Sequence, residues 1–489
     1  MWYACGVWRG VRRDVLPQPA AGQLTPSALA ELGWTFSTTT SEPASRLILP
    51  VLGKLVGDGA ILEDGDPRSI ASLACVLSNA GQLKEAVVES IAGIVRRSVG
   101  TRHAYDISSL ALIGFAGFLT REAPPSAKLL LLRSVAASVD GALCAVEHTA
   151  ASGVSASRLR VQESLATLAY ACSRCGVDDA SVYDRISRAV TPTAMTTEQL
   201  TKAMWAFSNA GVIDARLSTR LADDVMRRLC GGDGGMDDLQ LSAFARALAL
   251  QAQPEHATVF NKIFEVSALR ARGMHPVARS KVYMAHLVAT KLTPLKGVVA
   301  GLPSDLITHF RDPFVATNVV VSSFHKQIVT ILRVLRVPHA VEALLPSGLR
   351  VDVLLPDAGV AMEVDGPWHF LPSRAVRRSD AAAHPSLTSG GVCGGVADDV
   401  RLNLASRVKR SVLREDGLTV IGIPFFEWMN LRTQSERHDA VLSVLQASGA
   451  RLPVAVFSGR SSTRNRVTFT KEASHMPTDV RAVARRRQG

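Results

Sequence analysis

LRVDVLLPDAGVAMEVDGPWHF, residues 349–370, is the stretch at which the chain changes its grammar. Val351, Val353 and Leu355 alternate with other residues at the period of two that a half-buried strand requires. The turn Pro356-Asp357-Ala358-Gly359 separates Arg350–Leu355 from a second strand-like run, Val360–Val364. Just upstream, Ser322–Leu335 is an amphipathic helix with Ile328, Ile331, Leu332 and Leu335 along one side, followed by a strand-like run at Ala340–Leu345. Downstream, beyond a glycine-rich interruption, Leu402–Glu415 reads as a helix and Leu418–Ile423 as a strand. Helix, strands, helix, strand in that order predict a small α/β domain.

Farther upstream the period is helical. The tetrapeptide SNAG occurs at 78–81 and again at 208–211, and the glycine serves as an anchor for self-similarity. The positions 11, 8, 7 and 4 before Gly81 are Ile70, Leu73, Ala74 and Leu77. The same offsets give Leu165, Leu168, Ala169 and Cys172 before Gly176, and Leu200, Ala203, Met204 and Phe207 before Gly211. Before Ala252 they give Leu241, Phe244, Ala245 and Leu248, and a weaker copy, Asp106, Ser109, Leu110 and Ile113, precedes Gly117. Such spacing puts the apolar residues on one helical face and the glycine at a left-handed cap. Second helices are expected at Leu83–Arg97, Ser126–Val139, Ala180–Val190, Ala215–Leu229 and Glu255–Arg270, with an insertion within 140–160. Residues 60–272 thus read as about five helix-turn-helix units stacked into a solenoid, the alternative being an irregular helical bundle.

Composition fits this reading and narrows the function. Of 489 residues 47 % are hydrophobic and only 5 % aromatic, which suits Ala- and Leu-rich helices and excludes extensive disorder. No uncharged apolar run reaches the roughly 18 residues of a membrane span. Seven scattered cysteines, including a lone Cys172/Cys175 pair whose spacing fits helix packing better than a metal site, point to a reducing compartment. The amino terminus, MWYACGVWRGVRR, has three arginines and no acid, the pattern of an organelle-import segment. The formal net charge of +12 favours polyanionic partners. Residues 460–489 hold eight Lys or Arg and two acids, so +6 of that charge lies in a tail too poor in apolar residues to fold alone. Such a tail suits rRNA or another polyanion; a plain solubilising extension is the alternative.

Two resemblances sharpen the expectations. The helical pattern around LTKAMWAFSNAGV resembles the helical repeats of octotricopeptide and related organellar RNA-binding proteins, which implies contact with single-stranded RNA. The segments LRVDVLLPDAGVAMEVDGPWHF and RVKRSVLREDGLTVIGIPFFEW resemble a RAP domain, an RNA-associated module, over residues 322–446. Asp352, the Glu363-Val364-Asp365-Gly366 core, His369, Lys409-Arg410 and the Phe425-Phe426-Glu427-Trp428 ending carry the resemblance, while residues 373–400 form a longer insertion than that family has. The expected fold is therefore mostly α, an α-helical repeat solenoid followed by a small α/β domain of restriction-endonuclease-like (RAP) fold. Its divisions are an N-terminal segment (1–59), repeats (60–272), a connecting region (273–321), the RAP-like domain (322–446) and a basic tail (447–489).

The candidate site follows from the same residues. Glu363 and Asp365 share one face of a strand and Asp352 sits on the strand before it, and converging carboxylates call for a cation or a surround of donors. The resemblance to repair and restriction-type endonucleases implies that Asp352 and Glu363 match acids that hold Mg²⁺, with His369 able to act as acid or base. Asp365 stands where those enzymes carry a lysine, and this departure weakens a catalytic reading. For RNA, the expected cations are Arg374, Arg377, Arg378, Arg407, Lys409, Arg410, Arg485, Arg486 and Arg487. Trp368 and Trp428 offer stacking faces, although Trp428 closes an apolar run and suits the core better. The expectation is a mitochondrial, or alternatively plastid, RNA-binding protein without cofactor, whose partner is rRNA or organellar mRNA, with ribosomal proteins as neighbours in the first case. An endonuclease using Mg²⁺ and a protein-interaction scaffold are the alternatives.

Overall fold

The computed structural model describes residues 25–38, 62, 65–101, 104–150, 155–177, 179–231, 235–251, 253–292, 295–316, 321–370 and 402–448. The helices before residue 320 are α1 (Pro26–Thr38), α2 (Pro67–Asn79), α3 (Glu85–Ser98), α4 (Ile107–Leu119), α5 (Pro125–Ala150), α6 (Ser155–Arg174), α7 (Ala180–Ala189), α8 (Thr197–Ala210), α9 (Ala215–Gly231), α10 (Asp238–Gln251), α11 (Ala257–Arg270), α12 (Pro276–Lys291) and α13 (Ile307–Val315). They lie in two rows. One row runs α1, α2, α4, α6, α8, α10, α12, α13, each packed on the next; the other runs α3, α5, α7, α9, α11.

Local chemistry sets the helix ends. Asp66, Asp106 and Asp179 accept backbone N–H bonds at the starts of α2, α4 and α7, and Thr196 with Gln199 closes a reciprocal capping box on α8. Gly211 caps α8 at φ +71°, and Gly81 and Gly176 follow α2 and α6 at φ +66° and +73°. The apolar frames before Gly81, Gly176, Gly211 and Ala252 are all buried, none more than 3 % exposed. The row is stitched between corresponding serines: Ser78 Oγ donates to Ala116 O and Ser208 Oγ donates to Ala247 O, at 2.9 and 2.8 Å.

Two of these expectations need correction, at Gly117 and at residues 273–321, and the insertion takes a definite form. Gly117 is no cap: it lies inside α4, where a Cβ would come within 2.8 Å of Leu131 Cδ2. The matching of Ala116 with Ala247 moves that copy's frame one turn later, onto Leu110, Ile113, Gly114 and Gly117, and Asp106 becomes the N-cap. The insertion expected within 140–160 is largely helical, because α5 runs on to Ala150 and α6 begins at Ser155. Residues 273–321 do not merely connect: α12 continues the first row beside α10, and α13 packs on α12.

The α/β part comprises α14 (Ser323–Val334), β1 (Ala340–Leu344), β2 (Arg350–Leu355), β3 (Val360–Asp365), α15 (Leu404–Glu415), β4 (Thr419–Pro424), α16 (Phe425–Asn430) and α17 (Gln434–Ala447). Its sheet has the order β1-β2-β3-β4, with β1, β2 and β3 antiparallel and β4 parallel to β3. Alternation along the strands sorts the two faces. Val353, Leu355, Val360, Met362, Val364, Ile421 and Ile423 pack with α14, α17 and Trp428, which is 2 % exposed and core as its apolar run suggested. On the other face, Ala361 and Val420 join Leu404, Val408, Val412 and Leu413 of α15 in a core continuous with the helical rows. Tyr283 Oη donates to Ser347 O and Arg350 donates to Val315 O; Lys291 at the end of α12 and Lys296 in the turn beyond it pair with Asp416 and Glu415 at the end of α15. No helix among the described residues is long and apolar enough to cross a membrane.

Candidate functional site

Strand register gathers the predicted acids. With Val353 opposite Met362, Asp352 on β2 comes beside Glu363 on β3, and Glu363 and Asp365 project from the face that α15 covers. Asp352 Oδ2 accepts the Val364 N–H at 2.6 Å. The two acids of β3 are each met by a cation from α15: Lys409 Nζ donates to Glu363 Oε2 at 2.6 Å, and Arg410 pairs with Asp365. This contact depends on Gly422 of β4, which lies opposite Glu363 and whose missing side chain leaves the space that the Arg410 guanidinium crosses. His369, in the turn Pro367–His369, stands 3.6 Å from Asp365 Oδ1 and 3.2 Å from Ser406 Oγ.

Burial dominates the electrostatics. It lifts Glu363 to about 7 and Asp365 to about 6, even though Lys409 and Arg410 pull in the other direction. Burial also works against the Lys409 charge, yet Glu363, Asp352 and Asp365 together hold that lysine above its usual value. His369 is pushed down by burial. Glu363 Oε1, although buried, has no hydrogen-bond partner among the described residues.

Two further members escaped the sequence reading. His325, in the first turn of α14 and 4 % exposed, places Nδ1 3.3 Å from Glu342 Oε1 on β1. Glu342 adopts φ +50°, a left-handed conformation that strains a residue other than glycine. Ligand atoms of His325, Glu342 and Asp352 lie within 4.8 Å of one another. Alternation in AVEAL offered a weak signal for Glu342, while nothing local marks His325, which arrives through the packing of α14.

The RNA candidates divide. Lys409 and Arg410 turn inward to the acids instead of lining an outer surface; Arg407 is exposed on α15. Trp368 lies in the Pro367–His369 turn, and Arg374, Arg377, Arg378, Arg485, Arg486 and Arg487 lie outside the described residues. Of the acids matched to Mg²⁺ by resemblance, Glu363 is taken up by Lys409 and only Asp352 has no lysine or arginine partner among the described residues. As they stand, these two residues do not fit as a carboxylate pair for Mg²⁺.

A second constellation lies on the first row. Phe118 of α4, Tyr170 of α6 and Trp205 of α8, all half-buried, form a ladder with ring centroids 5.7 and 5.0 Å apart. The exposed Arg174 reaches across it, 5.4 Å from the Phe118 ring and 5.7 Å from the Trp205 ring. On α10 the position matching Tyr170 and Trp205 is Arg246, and Lys281 follows on α12. Crowding depresses both cations, Lys281 further through the Arg246 charge, and no carboxylate pairs with either among the described residues. Tyr170 and Trp205 were within reach of the sequence frame, six residues before Gly176 and Gly211, whereas Phe118 falls outside that offset. A scan against protein-family models finds no match for this chain, and a search of curated proteins finds no similar protein.

Proposed function

We propose that the chain is an organellar, most simply mitochondrial, RNA-binding protein in which an array of helical repeats and a RAP-like domain act together without catalysis. The observation that carries the reading is the Phe118-Tyr170-Trp205 ladder with Arg174, continued by Arg246 and Lys281. Aromatic faces stack unpaired bases of any sequence, and cations without acid partners meet phosphates. The order helix, three strands, helix, strand supports the RAP-like assignment, and the inward pairs at Glu363 and Asp365 support binding over cleavage. The basic 460–489 tail supports rRNA as partner, within a mitochondrial ribosome, over a single transcript.

Filter binding of the full chain to a labelled single-stranded RNA across a salt series tests this. Trp205→Ala and Arg246→Gln are each expected to weaken binding about tenfold, and Arg246→Gln to reduce the salt slope by roughly one phosphate. Binding untouched by both variants removes the reading. RNA cleavage in Mg²⁺ that Asp352→Ala abolishes replaces it with an endonuclease.

A further inference from the structure

We propose that His325, Glu342 and Asp352 form a binding site for a divalent transition-metal ion, distinct from the carboxylate pair Asp352/Glu363. The site offers a nitrogen and two carboxylates from α14, β1 and β2, with ligand atoms within 4.8 Å of one another. This inference stands apart from RNA binding by the helical row.

Charge balance is the first argument. Glu342, Asp352, Glu363 and Asp365 are four acids at one end of the sheet, and α15 supplies two full cations, both committed to β3. Glu342 and Asp352 have no lysine or arginine in direct ion pair among the described residues and lie beside the His325 imidazole, with Lys409 and Arg350 acting on Glu342 from farther off. Two half-buried carboxylates side by side repel each other, and a compensating cation relieves that repulsion. A divalent ion supplies that charge.

The second argument is unmet bonding capacity. His325 is 4 % exposed, meets Glu342 through Nδ1, and leaves Nε2 with no partner among the described residues. Buried polar atoms of native proteins are paired, so one ring nitrogen of His325 remains to be satisfied while the other faces Glu342. Asp352 uses Oδ2 for the Val364 N–H and keeps Oδ1 for another ligand. That backbone bond fixes the carboxylate as supporting contacts fix metal ligands elsewhere. The register sets Glu342 opposite Asp352, and its left-handed backbone carries a conformational cost that an ion would offset.

The donor set selects the ion. Imidazole nitrogen disfavours Ca²⁺ and Mg²⁺, which take oxygen, and the lack of sulfur in the triad disfavours Cu⁺. One nitrogen and two carboxylate oxygens suit Zn²⁺ or Mn²⁺, with metal–ligand bonds of about 2.0–2.2 Å reached by small side-chain movements and the remaining positions filled by water.

The experiment uses the full chain, stripped with chelator and titrated calorimetrically with Zn²⁺ and then with Co²⁺ as a spectroscopic probe. One ion per chain is expected, with a Co²⁺ spectrum free of thiolate charge-transfer absorption, which separates this site from the cysteines. Glu342→Gln and Asp352→Asn should each weaken binding at least tenfold. His325→Phe, which fills the same space, should abolish binding while circular dichroism stays that of the wild type. Zn²⁺ binding unchanged in Glu342→Gln, binding that shows thiolate absorption only, or no binding by the wild type overturns the proposal. So does saturation by Mg²⁺ with equal affinity.

Discussion

Gly422→Ala tests how the buried acids of β3 are held. A Cβ at this position would fall 2.6 Å from Asp365 Oδ2 and 2.7 Å from Arg410 Cζ, and closer still to Arg410 Nη2. The guanidinium is the movable party, so it swings aside and leaves Asp365, 1 % exposed, without its cation. Breaking a buried pair by removing one partner costs about 3–5 kcal/mol when the stranded charge cannot escape. Asp365 has an escape. Its carboxyl already sits at about 6 with Arg410 in place, so taking up a proton at pH 7.5 costs only about 2 kcal/mol at about 1.4 kcal/mol per unit. With the lost hydrogen bond added, the expected destabilisation is about 2–3 kcal/mol at pH 7.5. The sign of the pH dependence follows: the variant raises the folded-state value above about 6, so its penalty is complete only above that raised value, shrinks as the pH falls toward about 6 and is lost below it. Urea unfolding followed by circular dichroism at pH 7.5 and 6.0 measures both numbers. In an Arg410→Met background the same substitution should be nearly silent, since the pair is already gone. A penalty below about 0.5 kcal/mol at pH 7.5, or one that grows toward pH 6, refutes the reasoning.

Two further outcomes are expected. Glu363, at about 7 against an ordinary 4.5, takes up a proton on folding between those values, so its contribution to stability is complete below the lower one and is lost as the pH rises through the upper one; Glu363→Gln should flatten the stability profile in that window by up to about 1.4 kcal/mol per pH unit, and parallel profiles from urea melts would count against the burial argument. Ser208→Ala removes a donor to Ala247 O and the acceptor of Gln251 Nε2, 3.0 Å away, inside the first row, and should cost about 1–2 kcal/mol by the same assay; a neutral result would mean that these bonds do not hold α8 to α10.

The legibility of the fold varied with the range of the interaction. The four β-strands and the helices α14 and α15 were readable to within two residues because alternation, turn residues and caps such as Ser322 and Asn403 act locally. The first-row helices were equally readable where a glycine ended them, and misread at α4, where Gly114 and Gly117 serve close packing against Leu132 and Leu131 instead of capping. A glycine in a string of letters does not reveal which of its two uses applies. The acids Asp352, Glu363 and Asp365 were visible as a pattern of period two, but their partners were not. Lys409 and Arg410 lie more than 40 residues away on the helix that returns the chain to β4, and nothing local to that helix turns them inward. His325 and Glu342 depend on how α14 sits against the edge of the sheet, and the left-handed backbone of Glu342 goes against every strand propensity.

This inward pairing alters where a polyanion can be met. Four carboxylates against Lys409 and Arg410 make the end of the sheet electrically negative or, with protons shared, neutral; it repels phosphate or is indifferent to it. The net charge of +12 therefore does not speak for that site, and half of it belongs to residues 460–489. In the first row Arg174 stands across stacking faces, and Arg246 and Lys281 follow on α10 and α12 with no carboxylate partner among the described residues. On the RNA-binding reading, the two regions divide the work: the row and the tail supply affinity that falls with salt, and the acidic end of the sheet supplies a brace that holds α15 against α8, α10 and α12. Loss of an acid pair should then reach RNA only through the stability of that brace, whereas loss of Trp205 or Arg246 should reach RNA with the fold intact.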